Sequence, residues 1–175
     1  IALLAEPQLL ASGGTDGMVR LWETGTGRLL ATLQGHSGTV SDLALSADGH
    51  LLASGGTDGM VQLWEASFAK FDRVAKVGEQ TRNAGGSPAA PPSQWRPLAS
   101  LQGHAGAVWG VTLSADGQLV ASAGADGTVR LWEASTGRPV ATLQGHTGGV
   151  YGVALFANGH LLASGGRDGT VRLWE

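Results

Sequence analysis

A twelve-residue stretch occurs four times in this 175-residue chain, and the repetition limits the possible folds more than any other feature. The copies read SGGTDGMVRLWE at 12–23, SGGTDGMVQLWE at 54–65, SAGADGTVRLWE at 122–133 and SGGRDGTVRLWE at 164–175. The tryptophans near the ends of the copies are spaced by 42, 68 and 42 residues. One repeat therefore carries an insertion of 26 residues, the excess of 68 over 42.

Short apolar runs with two-residue alternation fill each period. In the second copy they are VSDLALS at 40–46, LLASGG at 51–56 and MVQLWE at 60–65, and Asp-Gly turns separate them. A fourth run, RLLATLQ at 28–34, precedes them. The pattern predicts four short antiparallel strands per period. Because such small sheets carry apolar residues on both faces, they must stack on one another to bury them.

A further landmark, Gly followed by His, falls at 35–36, 103–104 and 145–146, with each His 28 residues before its Trp. A period of about 40 residues with Gly-His, an Asp-Gly turn and a terminal Trp-acidic pair resembles the WD-repeat β-propellers. Here the usual Trp-Asp reads Trp-Glu. The resemblance implies an all-β partial propeller whose four-stranded antiparallel blades surround an axis. It places the blades of this single segment at 1–34, 40–102, 108–144 and 150–175.

Ser, His and Asp recur together with the Trp, and the resemblance places them within hydrogen-bond reach. Hydrolases use the same three residue types for catalysis. A buried indole N–H, however, needs an acceptor, and a Ser-His-Asp chain satisfies it completely, so we interpret the sets as structural and predict no catalytic residues. The complete sets are His36, Ser54, Asp58 and Trp64; His104, Ser122, Asp126 and Trp132; and His146, Ser164, Asp168 and Trp174. A partial set comprises Ser12, Asp16 and Trp22.

Charge and composition argue against several classes of ligand. A net charge of −3 without a basic stripe disfavours nucleic acid, and no apolar run is long enough to span a membrane. Without Cys, and with one carboxylate in each SADG turn, a metal site is not expected. The glycines do not form a nucleotide-binding loop. We therefore predict no cofactor and a cytoplasmic protein. His50 and His160 are interpreted as exposed turn residues.

Positions that differ between the copies are candidates for recognition. The fifth residue after each His is Ser41, Trp109 or Tyr151, and the third after His36 is Thr39. Arg167 precedes the Asp of the last turn. The resemblance places these positions on the binding end of a propeller, and two aromatics with one Arg are typical of an interface anchor. We predict a β-bulge at Trp109 that turns its side chain toward this end. The alternative is that Trp109 and Tyr151 only pack between strands.

The insertion, residues 67–96, is predicted to lie between the third and fourth strands of the second blade. Its first half has the apolar spacing of a short helix or a strand extension, and 83–93 has the composition of a linker. It is either a tolerated surface loop or a contact specific for a partner. Trp95 is interpreted as covering the edge of its own blade.

Together these features predict a non-catalytic protein-interaction scaffold or sensor platform that binds a protein or peptide on the propeller end. The repeats resemble arrays in bacterial multidomain signalling proteins. Two alternatives are a propeller enzyme with an axial site and a purely structural, oligomerising repeat. The chain begins within one predicted strand and ends before another. We therefore expect further repeats in the parent protein, and the alternatives are closure on itself or self-association with a second chain through the open ends.

Overall fold

Fifteen β-strands make up the computed structural model, which describes residues 1–5, 8–67, 94–156 and 159–175. Within those ranges there is no helix, and hence none that could span a membrane. The predicted all-β class is confirmed. The strands are β1 (Ala2–Leu4), β2 (Leu9–Gly13), β3 (Met18–Glu23), β4 (Arg28–Gln34), β5 (Val40–Leu45), β6 (Leu51–Gly56), β7 (Val61–Ser67), β8 (Gln94–Leu101), β9 (Val108–Leu113), β10 (Leu119–Gly124), β11 (Thr128–Glu133), β12 (Pro139–Gln144), β13 (Val150–Leu155), β14 (Leu162–Gly166) and β15 (Val171–Trp174).

The strands form four antiparallel sheets, each a simple meander in chain order. Sheet I contains β1 to β4, sheet II β5 to β8, sheet III β9 to β12 and sheet IV β13 to β15. The insertion follows β7 and precedes β8, and its residues 68–93 lie outside the described residues, as does the helix or strand extension predicted there. Trp95 lies in β8 opposite Ala66 and packs against the apolar cluster shared by sheets I and II.

Tight turns with glycine connect the strands. Gly59 has φ of 80°, in the left-handed region that glycine enters without steric cost. A Cβ at this position would lie 3.0 Å from the carbonyl oxygen of Gly106, in the loop that precedes β9 of the adjacent sheet. Asp58 completes the turn, because its Oδ1 accepts a hydrogen bond from the Met60 N–H at 3.1 Å. The Asp-Gly pair is therefore required both by the turn and by the approach of the next sheet.

Consecutive sheets pack face to face through apolar clusters. Between sheets I and II, Val19 and Leu21 of β3 share a cluster with Leu43 of β5, and all three are buried. Equivalent clusters join sheets II and III and sheets III and IV. A polar contact adds to the second interface, where the Asp42 carboxylate accepts a hydrogen bond from the Val111 N–H at 3.0 Å. The core thus lies between the sheets, as the two-faced apolar strands require.

The first strand of sheets II, III and IV contains a bulge at the same position. In β9, Val108 pairs with Gly124 and Gly110 with Ala123, so Trp109 has no partner in the ladder. The bulge predicted at Trp109 is therefore present. Ser41 in β5 and Tyr151 in β13 are skipped in the same way. Because a bulge turns its extra residue out of the pleat, these three side chains leave the inter-sheet core at one end of the strands.

Candidate functional site

Each complete Trp-Ser-His-Asp set is a continuous chain of hydrogen bonds. The Ser hydroxyl lies 2.8 to 2.9 Å from the His Nε2 in all three sets. The His Nδ1 lies 3.0 to 3.1 Å from both carboxylate oxygens of the Asp. The Trp indole N–H donates to the same Ser oxygen, at 3.3 Å for Trp64 and 2.9 Å for Trp132 and Trp174. The structure thus brings together the four side chains of each of the three complete sets.

The direction of these bonds follows from the indole, which can only donate. A Ser oxygen that accepts from Trp can direct its own proton to the imidazole Nε2, and the Nδ1–H then donates to the Asp. Burial lowers the pKa of His104, which favours this neutral form, although Asp126 opposes the shift. In this arrangement the indole N–H, the Ser hydroxyl and both imidazole nitrogens of a set each have a hydrogen-bond partner.

The aspartates also cap the loop that follows each His. The Asp126 Oδ2 accepts from the Ala105 N–H at 2.9 Å, and the Asp58 and Asp168 oxygens accept equivalent bonds from Ser37 and Thr147. For Asp126 burial opposes ionisation, but the hydrogen bonds from Ala105 and Thr128 outweigh it and lower its pKa to about 2. For Asp168 the Thr170 hydroxyl is the main cause of a lowered pKa. These carboxylates therefore remain ionised acceptors that hold the loop against the turn.

Burial prevents these serines from acting as nucleophiles in the described conformation. Ser54 and Ser122 are fully buried and Ser164 is 2% exposed. An attacking hydroxyl needs access to a carbonyl carbon and a nearby oxyanion site. Here the Ser oxygen already contacts both an indole N–H and an imidazole, so no substrate atom can approach it. The geometry therefore supports a structural role, in which the sets connect the strands to the loop, rather than acyl transfer.

The first copy keeps only part of the set. The Trp22 indole N–H donates to Ser12 at 2.8 Å. Asp16 is exposed, and it lies 2.6 Å from the Arg20 guanidinium and accepts a bond from the Met18 N–H. The hydrogen bond from Arg20 is the largest contribution to the lowered pKa of Asp16. Asp16 thus forms an ion pair with Arg20, whereas the equivalent Asp of each complete set contacts a His.

Two threonines that the sequence interpretation did not include extend the sets in sheets III and IV. The hydroxyls of Thr128 and Thr170 lie 2.8 Å from Asp126 and Asp168, and 3.3 Å from the neighbouring His Nδ1. The first two copies have Met at this position, Met18 and Met60. The change from DGM to DGT could have revealed these threonines in the sequence, because a hydroxyl two residues after an Asp can bond to its carboxylate.

A second group of residues lies at the bulged end of sheets III and IV. The rings of Trp109 and Tyr151 stack with centroids 4.8 Å apart and an interplanar angle of 21°. Trp109 is half-buried, whereas Tyr151 is 54% exposed. The pair therefore bridges two sheets and presents aromatic surface to solvent. Trp109 is not enclosed between the sheets.

Gly149 connects this aromatic pair to Arg167. A Cβ at Gly149 would lie 2.3 Å from the Trp109 ring, so only glycine admits the ring at that position. The Gly149 carbonyl oxygen accepts a hydrogen bond from the Arg167 N–H at 2.8 Å. The Arg167 side chain is exposed. We call Trp109, Tyr151 and Arg167 the aromatic patch.

The remaining predicted contact residues lie at the same end of sheet II. The Thr39 carbonyl accepts from the Thr57 N–H at 2.9 Å, the bond equivalent to that between Gly149 and Arg167. Ser41 occupies the bulge and is exposed. These two side chains present small polar surface, so the aromatic character is confined to sheets III and IV.

The opposite end of the sheets carries a shallow cleft of about 310 Å³ between sheets II and III. Its lining includes Asp48, His50, Glu65 and Asp116. Within the ranges that the structure describes, no group of three or more His, Asp or Glu side chains is arranged to hold a metal ion.

Comparison with known proteins identifies the repeat. The family model described as WD domain, G-beta repeat matches residues 1–23, 27–65, 95–133 and 137–175, most of the chain. Translation initiation factor 3 subunit I of the fungus Phaeosphaeria nodorum is 48% identical over 40 residues, which are 23% of this chain and 12% of that protein. Human striatin-4 is 53% identical over 36 residues, which are 21% of this chain and 5% of that protein. The chain thus matches only a small part of these relatives.

A solved structure has a similar fold. The crystal structure of the computationally designed Ika4 protein superposes with a TM-score of 0.74 at 27% sequence identity. The match covers 99% of this chain and 88% of the designed protein.

Proposed function

Because this chain belongs to the WD domain, G-beta repeat family, whose repeats generally mediate contacts between proteins, we propose that it is a non-catalytic binding platform for a protein or peptide. The stack of Trp109 and Tyr151 at the bulged end of sheets III and IV is the observation that supports this proposal. Exposed aromatics beside an Arg are typical of residues that dominate binding energy at protein interfaces.

The chemistry of the aromatic patch favours an extended segment with one apolar side chain and a nearby carboxylate. The exposed part of Tyr151 offers a flat surface on which an aromatic, proline or aliphatic side chain can pack. Arg167 offers a planar guanidinium for a carboxylate. We propose that such a platform serves as the scaffold or sensor region of a larger cytoplasmic signalling protein. An origin in a bacterial multidomain protein remains part of this proposal.

The test is a selection of random peptides displayed on phage against the immobilised 175-residue chain. Affinity of the selected peptides is then measured by fluorescence polarisation for the wild type, Trp109→Ala and Tyr151→Ala. Each substitution is expected to weaken binding by about 2 kcal/mol, or roughly thirtyfold. Phe156→Ala is the matched control, because Phe156 is 61% exposed and follows β13 at the end opposite to Tyr151.

Arg167→Ala is expected to weaken binding of acidic peptides only. Selected peptides that bind Trp109→Ala and Tyr151→Ala as tightly as the wild type, but lose affinity for Phe156→Ala, would place the binding surface at the other end. Turnover of an ester or glycoside substrate that disappears in Ser122→Ala would instead support the enzyme alternative.

A further inference from the structure

The outer face of sheet IV exposes apolar side chains whose equivalents in the other three sheets are buried or partly buried. Val171 is 75% exposed, whereas the equivalent Val19, Val61 and Val129 are fully buried. Leu173 is 67% exposed, and its equivalents Leu21 and Leu63 are fully buried. We call Val171 and Leu173, together with the adjacent Ala163, the tail face.

The first sheet exposes the opposite face, which is covered in sheets II and III. Leu43 and Val111, in the first strands of sheets II and III, are each 5% exposed because they pack on the preceding sheet. Ile1 holds the equivalent position in sheet I and is 87% exposed, and Leu3 is 68% exposed. We call Ile1 and Leu3, together with Leu10, the head face.

The internal interfaces show which surface covers each of these faces. Between sheets I and II, Val19 and Leu21 belong to one cluster with Leu43 and Leu52. Between sheets II and III, Val61 and Leu63 belong to one cluster with Val111 and Val120. In both, the residues equivalent to the tail face meet residues equivalent to the head face.

From this repeated pairing we infer that the tail face of one copy of the chain binds the head face of a second copy, in the register of the internal sheet interfaces. The two faces differ, so the contact is head-to-tail, and two such contacts close a ring of two copies. The driving force is burial of apolar side chains that each copy leaves in solvent. This inference concerns the terminal sheets, and it does not depend on the aromatic patch.

The association is tested by light scattering on size-exclusion fractions of the 175-residue chain between about 1 and 200 µM. The wild type is expected to reach about twice the chain mass of 17.8 kDa. Val171→Asp and Leu3→Asp each place a carboxylate in the contact, so the concentration for half-association is expected to rise at least about tenfold. Val140→Asp is the matched control, since Val140 is 58% exposed on the outer strand β12.

The polarity of the contact is tested with mixtures. Val171→Asp keeps an intact head face and Leu3→Asp an intact tail face. Each variant alone is therefore expected to associate only at higher concentration than the wild type, whereas an equimolar mixture forms a heterodimer through one intact contact at a lower concentration than either variant alone. A wild type that stays at 17.8 kDa over the whole range would overturn the inference. Dimerisation of either single variant alone at the wild-type concentration would also overturn it, because the substituted face would then not lie in the contact. An equal rise in the concentration for half-association of Val140→Asp would overturn the inference as well.

Discussion

At the scale of single residues, the imidazoles connect the Gly-His loops to the strands. The His146 side chain is 1% exposed and lies between Ser164 and Asp168. Its removal leaves a buried hydroxyl and a carboxylate without their partner, and an unsatisfied buried polar group is costly. The role of these sets is therefore a question of stability, which single substitutions can measure.

We expect His146→Ala to lower the free energy of unfolding by about 1 to 3 kcal/mol. His160→Ala replaces an exposed side chain of a turn and is expected to change it by less than about 0.5 kcal/mol. Urea denaturation followed by Trp fluorescence measures both values. Similar losses from the two substitutions would contradict the role proposed for His146.

The stability of the fold should also depend on pH through His104. Burial lowers its folded-state pKa below the value of 6.5 that it has when unfolded, so the unfolded chain binds more protons just below pH 6.5. The free energy of unfolding is therefore expected to fall as pH drops from 6.5 toward 5. Urea titrations at pH 8, 6.5 and 5 test this, with His104→Asn expected to show a smaller decrease. Greater stability of the wild type at pH 5 than at pH 6.5 would contradict it.

Asp126 is expected to cause a second decrease in the free energy of unfolding, at lower pH. Its pKa is lowered from 3.8 to about 2 in the fold, so its stabilising effect is complete above pH 3.8 and is lost as pH falls toward 2. The same titrations continued to pH 2 would separate this step from that of His104. Asp126→Asn, which cannot ionise, should lack the step.

At the scale of strands, identical sequence occurs in different surroundings. Residues 126–133 and 168–175 both read DGTVRLWE, and both form the third strand of a sheet. Val129 is fully buried between sheets III and IV, whereas Val171 is 75% exposed. The pair therefore separates the effect of strand propensity from that of packing between sheets.

Val129→Ala is expected to lower the free energy of unfolding by about 2 kcal/mol, because it removes two buried methyl groups and leaves a cavity. Val171→Ala removes the same atoms from an exposed site and should cost less than about 0.5 kcal/mol in dilute solution. Thermal unfolding of both variants at micromolar concentration gives the comparison. Equal costs would mean that strand propensity, rather than the covering sheet, sets the contribution of this valine.

At the scale of the whole molecule, the sheets form an open series in which each contacts mainly its neighbours. Sheets II and III are covered on both faces, whereas sheets I and IV each have one open face. In such arrays stability is approximately a sum over units and their interfaces, so the terminal units open most easily.

Hydrogen exchange should therefore be faster in the terminal sheets of the dilute chain. Amides of β14 and β15 are expected to exchange at least about tenfold faster than the equivalent amides of β10 and β11. Mass spectrometry of peptides from each sheet measures the rates. Head-to-tail association at high concentration should reduce the difference. Equal rates in dilute solution would contradict the description of sheets I and IV as the open ends of the series.

Much of this architecture was determined by the sequence, because its signals are local. Two-residue alternation of apolar residues, Asp-Gly turns and the repeat period predicted the strands and their all-β class, and the doubled apolar positions at Val108 and Trp109 predicted a bulge. Each depends on neighbouring residues and on backbone geometry. The bonds from Thr128 and Thr170 to the aspartates were accessible to the same local reasoning but were not predicted.

Only the tertiary structure decided which identical residues are covered and which side chains meet across sheets. The stack of Trp109 on Tyr151 joins residues 42 positions apart and depends on the absence of a side chain at Gly149. The Asp42 carboxylate reaches the Val111 N–H in the next sheet, and no local pattern indicates that contact. Val129 and Val171 have the same local sequence, yet one lies in the core and the other in solvent. Burial depends on what packs against a strand, and a repeated sequence specifies the strand without specifying its neighbour.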